Sequence, residues 1–430
     1  MPLSPDEIDA MEEVFRTLGT RVEKAEDDDE ARRLFRDYMS LPTGGIEVLS
    51  EKNEPPRVYK VSKADLSNWD DPYDSMYGLD SSTTRPESYN NGLVLDVAKA
   101  KAAMLGDGVN EPERLTTIVA AVYADDNMGL SETTLRDDDI KSELIPIEYG
   151  GTPERVGSAV STRAQKFAEG KHALRIAGLD GPLFIDGSIY PRSVISRLYF
   201  AKEKAFRTGG TSGLAQSTGK EQEQEIVENY IAAIDAQMGN EQPLIGVVKT
   251  MKTDELVTAL EKKMVTEIEQ PTVPWPQDDQ FMSDVLDTDS PEEVTFTSWL
   301  VKTKLSGSGE DVEPIRGFEI DDDREYRDYR RAFFYVRLPQ DRVVFRIEAP
   351  LMMVRDESDR MRLQRKALKE VVDSSGPPAV IERSDGRANI SMDNAEYLKG
   401  ILKDTIDSNQ TMDYNKHGRF KQIRHDEGDT

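Results

Sequence analysis

The 430 residues include 82 acidic and 55 basic side chains, a formal net charge of −27, and no cysteine. This length exceeds the ~250–300 residues at which a single hydrophobic core stops growing. Disulfides and thiolate metal sites are excluded, and three histidines (His172, His417, His425) are too few and too scattered for the usual tetrahedral zinc site. The apolar runs, such as LIGVV at 244–248, fall far short of the ~20 residues that span a bilayer. The start MPLSPDEIDA lacks a charged-then-apolar signal, so the chain reads as soluble and cytoplasmic, with no membrane partner.

Ser4 and Pro5 suit the cap and first turn of a helix, and Ile8, Met11, Phe15 and Leu18 give it an apolar stripe. A charged turn at Glu26–Glu30 and a second short helix follow. Residues 41–75, rich in Pro, Asn, Ser and Asp, read as a connecting arm, which sets a helical N-terminal region at 1–70. From 71 to 406, β-like runs alternate with helical stretches over Met76–Asp80, Gly92–Met104, Thr116–Tyr123, Ala159–Ile176, Pro182–Asp186, Ser193–Phe206, Glu221–Met238 and Pro243–Lys249. Alternation of this kind predicts an α/β sheet flanked by helices. Residues 271–315 read as a loop-rich insertion. Beyond it, Ala332–Leu338 and Arg342–Glu348 flank Pro339-Gln340-Asp341 as a hairpin. Helices are predicted over Glu357–Val372 and Asn394–Ile406, and 407–430 as a mobile polar tail.

A charge of −27 argues against a polyanionic partner. The excess of carboxylates with little lysine is also what adaptation to high internal salt produces, because screening over ~3 Å at 1 M tolerates it. Local charge is then the better guide. Arg155–Arg207 holds ten basic and four acidic residues, a net of +6, and Arg316–Lys366 thirteen against eleven.

Within this pattern, two aspartates end apolar runs: Asp80 in MYGLDSSTTR and Asp186 in GPLFIDGSIYPR. A carboxylate at a strand end, followed by small residues, projects at a sheet edge where a ligand can approach. The bland alternative is a turn residue or a helix cap. Glu169, in a helix that runs into the strand ending at Asp186, supplies a third carboxylate. Three such groups suit hard divalent ions such as Mn²⁺ or Mg²⁺, which activate water at a phosphodiester. The surrounding stretch is the one with net positive charge.

In order, YGLDSSTTR, TTIVAAVYADD, the helix holding Glu169, FIDGSIY, LIGVVKTMKTDEL, FFYVRL with VFRIEAP, and PPAVIERSDGRANI resemble the NurA family of archaeal DNA-repair nucleases over roughly residues 70–400. The resemblance implies a ribonuclease H-like fold, a central mixed sheet with helices around it. It implies manganese-dependent cleavage of single-stranded DNA and resection of 5′ ends, by a homodimer that works with the hexameric HerA translocase. It carries the metal-binding role to Asp80, Glu169 and Asp186. Two positions depart from the family: Ser81 follows the first aspartate where glycine is usual, and Asp385 stands where a histidine is expected in the late segment. A carboxylate there can bind a metal but cannot act as a neutral imidazole. That departure keeps open a catalytically silent scaffold that docks on a translocase, and a third option is a phosphatase of small esters.

Lys249, after LIGVV, and Lys252 are candidates to meet a phosphate, or are solvated surface lysines. Tyr335 is either core packing or part of the metal site. Arg331, Arg337 and Arg346 track a DNA backbone, or pair on the surface with Asp321–Asp323 and Asp328. His172 reads as a surface residue, and His417 and His425 lie in the tail.

Overall fold

A computed structural model describes residues 4–21, 28–39, 45–49, 54–107, 111–124, 130–149, 155–198, 218–251, 253–265, 273–303, 315, 317–338, 340 and 343–406. Of the sequence readings, Glu26, Phe206, Lys252, Pro339, Asp341, His417, His425, segment 304–314 and the tail lie outside these residues. The chain divides by contact into two units: Met1–Lys63, Thr250–Asp311 and Phe334–Phe345 form the first, and Ala64–Lys249, Val312–Phe333 and Arg346–Thr430 the second.

In the first unit, Ser4 and Glu7 cap helix α1 (Pro5–Arg21) reciprocally: the Ser4 N–H donates to Glu7 Oε2 at 2.7 Å and the Glu7 N–H to Ser4 Oγ at 3.4 Å. Its stripe forms as expected but is exposed at Ile8, Met11 and Phe15. Helix α2 (Asp28–Met39) buries Leu34 and Phe35, and Phe35 meets Phe281 of helix α8 (Asp278–Val285) edge-on at 6.5 Å. Asp278 accepts hydrogen bonds from the N–H groups of Leu256 and Val257, the first turn of helix α7 (Glu255–Met264), and so caps a helix remote in sequence.

The arm and the insertion hold more order than their composition predicts. Strands β1 (Ile46–Val48) and β2 (Val58–Ser62) lie in the first, and α8 with strands β11 (Glu293–Thr297) and β12 (Leu300–Lys302) in the second. β2 pairs antiparallel with β11 from Ser62↔Glu293 to Val58↔Thr297, and Tyr59 stacks on Phe296 at 5.4 Å. These strands are short and flanked by Pro, Asp and Ser, so composition over a window hides them, while β-branched Thr295 and Thr297 are fully buried.

The second unit is a mixed sheet between helices. Its strand order is β14 (Val344–Pro350), β10 (Leu244–Val248), β9 (Leu183–Asp186), β3 (Ser75–Thr83), β5 (Val94–Gly106), β6 (Thr116–Tyr123), β8 (Ile140–Pro146) and β7 (Thr133–Asp137). β3/β9, β9/β10 and β6/β8 are parallel, and the other neighbours are antiparallel. β14 and its hairpin partner β13 (Arg331–Arg337) supply residues to both units. The β7/β8 pair goes unread in the sequence, because β7 is exposed at every position and shows no alternation.

Helix α5 (Val156–Ile176) runs into β9, and helix α6 (Thr218–Gly239) connects β9 to the parallel β10. Side-chain alternation along β3 shows which face each helix covers. Ser81 bonds Glu169 of α5, so the odd-numbered positions face α5. Ser82 Oγ donates to Ala388 O of helix α10 (Ala379–Ala388), so the even-numbered positions face α10. Gly78 lies on that face, where a Cβ would stand 2.4 Å from Val380 O; only glycine lets α10 lie this close. Sequence reading misses α10, because Ser-Asp-Gly at 384–386 looks like a turn. Burial of Val380, Ile381, Ser384 and Ala388 on one helical face overrides that signal. Helices α9 (Glu357–Asp373) and α11 (Met392–Ile406) fall where expected, within two residues at each end.

Candidate active site

Asp80 and Asp186 are set side by side by the register of β3 and β9. Leu79 pairs with Ile185, so the next residues on the two parallel strands are Asp80 and Asp186, on the face that α10 covers. Asp80 is buried, its Oδ1 accepts the Ser81 N–H at 2.7 Å, and it shares a hydrogen bond with Asp385 of α10. Burial pushes the Asp80 carboxyl up to about 8, with the Asp186 charge, the bond to Asp385 and the Glu169 charge adding to it. Asp186 is raised for the same first reason, although Lys249 Nζ donates to its Oδ2 at 2.6 Å and opposes the shift. Two adjacent carboxylates in a poorly hydrated place cannot both ionise without a counter-charge, and Lys249 supplies one. The turn after Asp186 depends on Gly187, whose φ of +114° other residues rarely adopt.

Glu169 approaches from behind. It is fully buried on α5, where its carboxylate accepts hydrogen bonds from Ser81 Oγ at 2.8 Å, Lys166 Nζ at 2.8 Å and the Tyr230 hydroxyl of α6. Burial first, and then the Glu169 charge, hold the Tyr230 phenol well above its ordinary range, so it stays a donor. Ser81 therefore links the carboxylates: its hydroxyl is on Glu169 and its N–H on Asp80. Lys166 and Tyr230 are residues that sequence reasoning missed. Lys166 is legible as the i−3 neighbour of Glu169 on one helix, but nothing local marks Tyr230, which lies 61 residues away.

The remaining candidates are dispersed. Tyr335 and Arg337 belong to the first unit and are buried; the Tyr335 N–H donates to Thr297 Oγ1 at 3.1 Å, and Arg337 pairs with Asp287 at 2.6 Å. Arg331 and Arg346 do not form the expected surface pairs with Asp321–Asp323 or Asp328. Both are buried on Glu348, at 3.3 and 2.8 Å, while Asp328 pairs with Arg355 and Asp321 with Arg324. His172 is not at the surface. It is fully buried with Nδ1 3.0 Å from Thr117 Oγ1, and burial pushes its imidazole down to about 3, with Arg175 and Lys101 adding to the shift.

Among the described residues no three acidic or histidine side chains already stand as a metal cage. Lys249, Lys166, Tyr230 and the Asp80–Asp385 bond hold the carboxylates instead. The donor chemistry nevertheless fits a hard dication: the donors are all oxygens, with Asp80 and Asp186 on adjacent strands and Asp385 hydrogen-bonded to Asp80. The raised carboxyls of Asp80 and Asp186 mark a place where positive charge is wanted.

The fold and the site together define an α/β protein with two adjacent carboxylates where its central parallel strands β3 and β9 stop pairing. A family model, the NurA domain, matches residues 168–390, a little over half of the chain, and the chain belongs to the NurA family. It is also similar to the crystal structure of the NurA nuclease from Sulfolobus solfataricus, at 14% identity over 94% of this chain and 98% of that one, with a TM-score of 0.49. For the crystal structure of NurA with manganese the values are 12%, 92%, 98% and 0.40, and for NurA bound to dAMP and manganese 11%, 92%, 96% and 0.42. No curated protein matches the chain.

Proposed function

We propose that the chain is a divalent-metal-dependent DNA nuclease. The observation that carries this reading is the register that sets Asp80 beside Asp186 on one face of the sheet. Membership of the NurA family supports it, and so does the manganese and dAMP named for a structure of that family. Asp80 and Asp186 hold Mn²⁺, or Mg²⁺ in its place, with Asp385 on the same face; the resemblance adds Glu169 to the metal-binding acids. The bound ion supplies Lewis acidity and lowers the pKa of water at the scissile phosphodiester. Lys249, which neutralises Asp186, would be free to meet a phosphate oxygen if a dication took over that role. The substrate is single-stranded DNA and the 5′ ends exposed in double-strand break repair, and the working form is a cytoplasmic homodimer with a HerA-type hexameric translocase. No helix among the described residues is long and apolar enough to cross a membrane.

The test is Mn²⁺-dependent degradation of single-stranded DNA in molar salt. Asp80→Asn and Asp186→Asn are expected to lower it by at least about 100-fold, the upper end of what loss of an outer metal partner costs. Thermal melts should stay near that of the parent. Full activity in both variants sinks the assignment.

The second reading, a silent scaffold on a translocase, is favoured by the Lys249–Asp186 ion pair and by Asp385 in place of the family's histidine. Titration with Mn²⁺ monitored by electron paramagnetic resonance separates the two. Saturable binding that is lost in Asp186→Asn supports the nuclease, and no binding at millimolar Mn²⁺ supports the scaffold.

A further inference from the structure

A second charged centre lies in the α5–α6 interface of the same unit. Arg163 is more than nine-tenths buried, and its Nη2 donates to Glu223 Oε1 at 2.6 Å. The same oxygen stands 3.3 Å from Arg197 Nε, on the helical stretch 192–198. Two guanidinium groups thus share one carboxylate, leaving a net charge of +1. Arg163 Nε and Nη1 and Arg197 Nε and Nη2 are buried without a hydrogen-bond partner among the described residues. Donors in that state are normally satisfied by something. Burial, with the Arg197 charge adding to it, pushes the Arg163 guanidinium below its ordinary range, although Glu223 opposes this. The Arg197 side chain is about one-third exposed, although its Nε and Nη2 are themselves buried.

Six residues separate Arg163 from Glu169 on α5, about 9 Å along the helix axis. The pair also falls within the segment whose local charge opposes the acidity of the whole chain. A planar guanidinium fork matches the oxygens of a phosphate group.

We propose that Arg163 and Arg197 form a phosphate subsite for the DNA strand, in which a backbone oxyanion takes the N–H groups that Glu223 leaves unused. The identity of the strand rests on the nuclease reading, whereas the anion-binding geometry does not.

The test uses the full chain with chelator present, so that no cleavage occurs, and measures fluorescence anisotropy of a labelled oligothymidylate over a salt series. Arg197→Gln is expected to weaken binding and to lower the magnitude of the logarithmic salt slope by about 0.7, the share of one phosphate on a single strand. Glu223→Gln is expected to tighten binding, a gain that a purely structural ion pair would not give. Unchanged affinity and slope in both variants, with parental melts, overturns the subsite alone. A parent chain that binds no oligonucleotide at any salt overturns the subsite and the DNA reading together. Inorganic phosphate tells the two sources of the anion apart. If it raises the melt of the parent but not of Arg197→Gln while oligonucleotide binding is the same in both, the site takes free phosphate and the strand assignment falls.

Discussion

The first unit buries Arg337 against Asp287 at 2.6 Å and seats Asp278 on the N–H groups that open α7, whereas the second unit buries Asp80 next to Asp186. In the first case each charge meets its complement, as structural pairs do. In the second, burial first and the neighbouring Asp186 charge next hold Asp80 protonated up to about pH 8. Burial of charge alone therefore does not single out a candidate in this chain; unbalanced burial does. Arg337 and Tyr335 satisfied the sequence criteria for contacting a substrate, yet their surroundings match the balanced kind, while Asp80 and Asp186 sit in the unbalanced kind.

The sharpest way to break this comparison is to neutralise one member of each kind. Asp80→Asn removes a carboxyl that is costly to ionise, so Mn²⁺-dependent activity should fall to background while the melt is unchanged or raised. Arg337→Met does the reverse. It strands Asp287 and should cost about 3–5 kcal/mol of stability, as breaking a buried pair does, while Mn²⁺ binding per folded molecule stays constant. Chemical denaturation together with Mn²⁺ titration reads both. A stable Arg337→Met, or an Asp80→Asn that unfolds, would erase the distinction.

His172 extends the comparison to a group that titrates alone. Its folded value of about 3 lies below the 6.5 of the unfolded chain. The unfolded state therefore binds the extra proton between these limits: stability is complete above pH 6.5 and is lost as the pH falls toward 3. At pH 4.5 the loss is about 2–3 kcal/mol by the difference in proton binding. Melts from pH 7 to 4.5 in constant molar salt should fall more steeply for the parent than for His172→Asn. Equal slopes would mean that the imidazole is hydrated in solution.

What the sequence made legible follows the range of the forces involved. The long helices α5, α6, α9 and α11 and the strands that hold Asp80 and Asp186 could be read because each is a sustained helical or apolar run bounded by turn residues. α10 and the short strands flanking Trp299 could not, because tertiary burial forms them against local turn signals, and β7 could not, because it is exposed throughout and shows no alternation. The two aspartates could be singled out by their apolar runs, but only Asp186 ends its strand; β3 runs on from Asp80 to Thr83. Their placement side by side could not, since it depends on the pairing of strands about 100 residues apart. His172 was misread because one histidine beside Lys171 carries no sign of the buried threonine it meets.

The smallest effect is expected where the two kinds of burial meet, at Glu169. This carboxylate is balanced by Lys166, Tyr230 and Ser81, yet its charge still reaches Asp80 and Asp186. Tyr230→Phe removes one donor of three and should cost about 1 kcal/mol, the ordinary net value of a buried hydrogen bond. If Glu169 acts from behind β3, by holding Ser81 and through it Asp80, the variant should bind Mn²⁺ as tightly as the parent, because Ser81 and Lys166 still hold the carboxylate. If Glu169 is itself a ligand and Tyr230 orients it, Mn²⁺ affinity should fall about tenfold, the lower end of what loss of an orienting partner costs. Titrating Mn²⁺ into Tyr230→Phe and Glu169→Gln side by side decides between these roles.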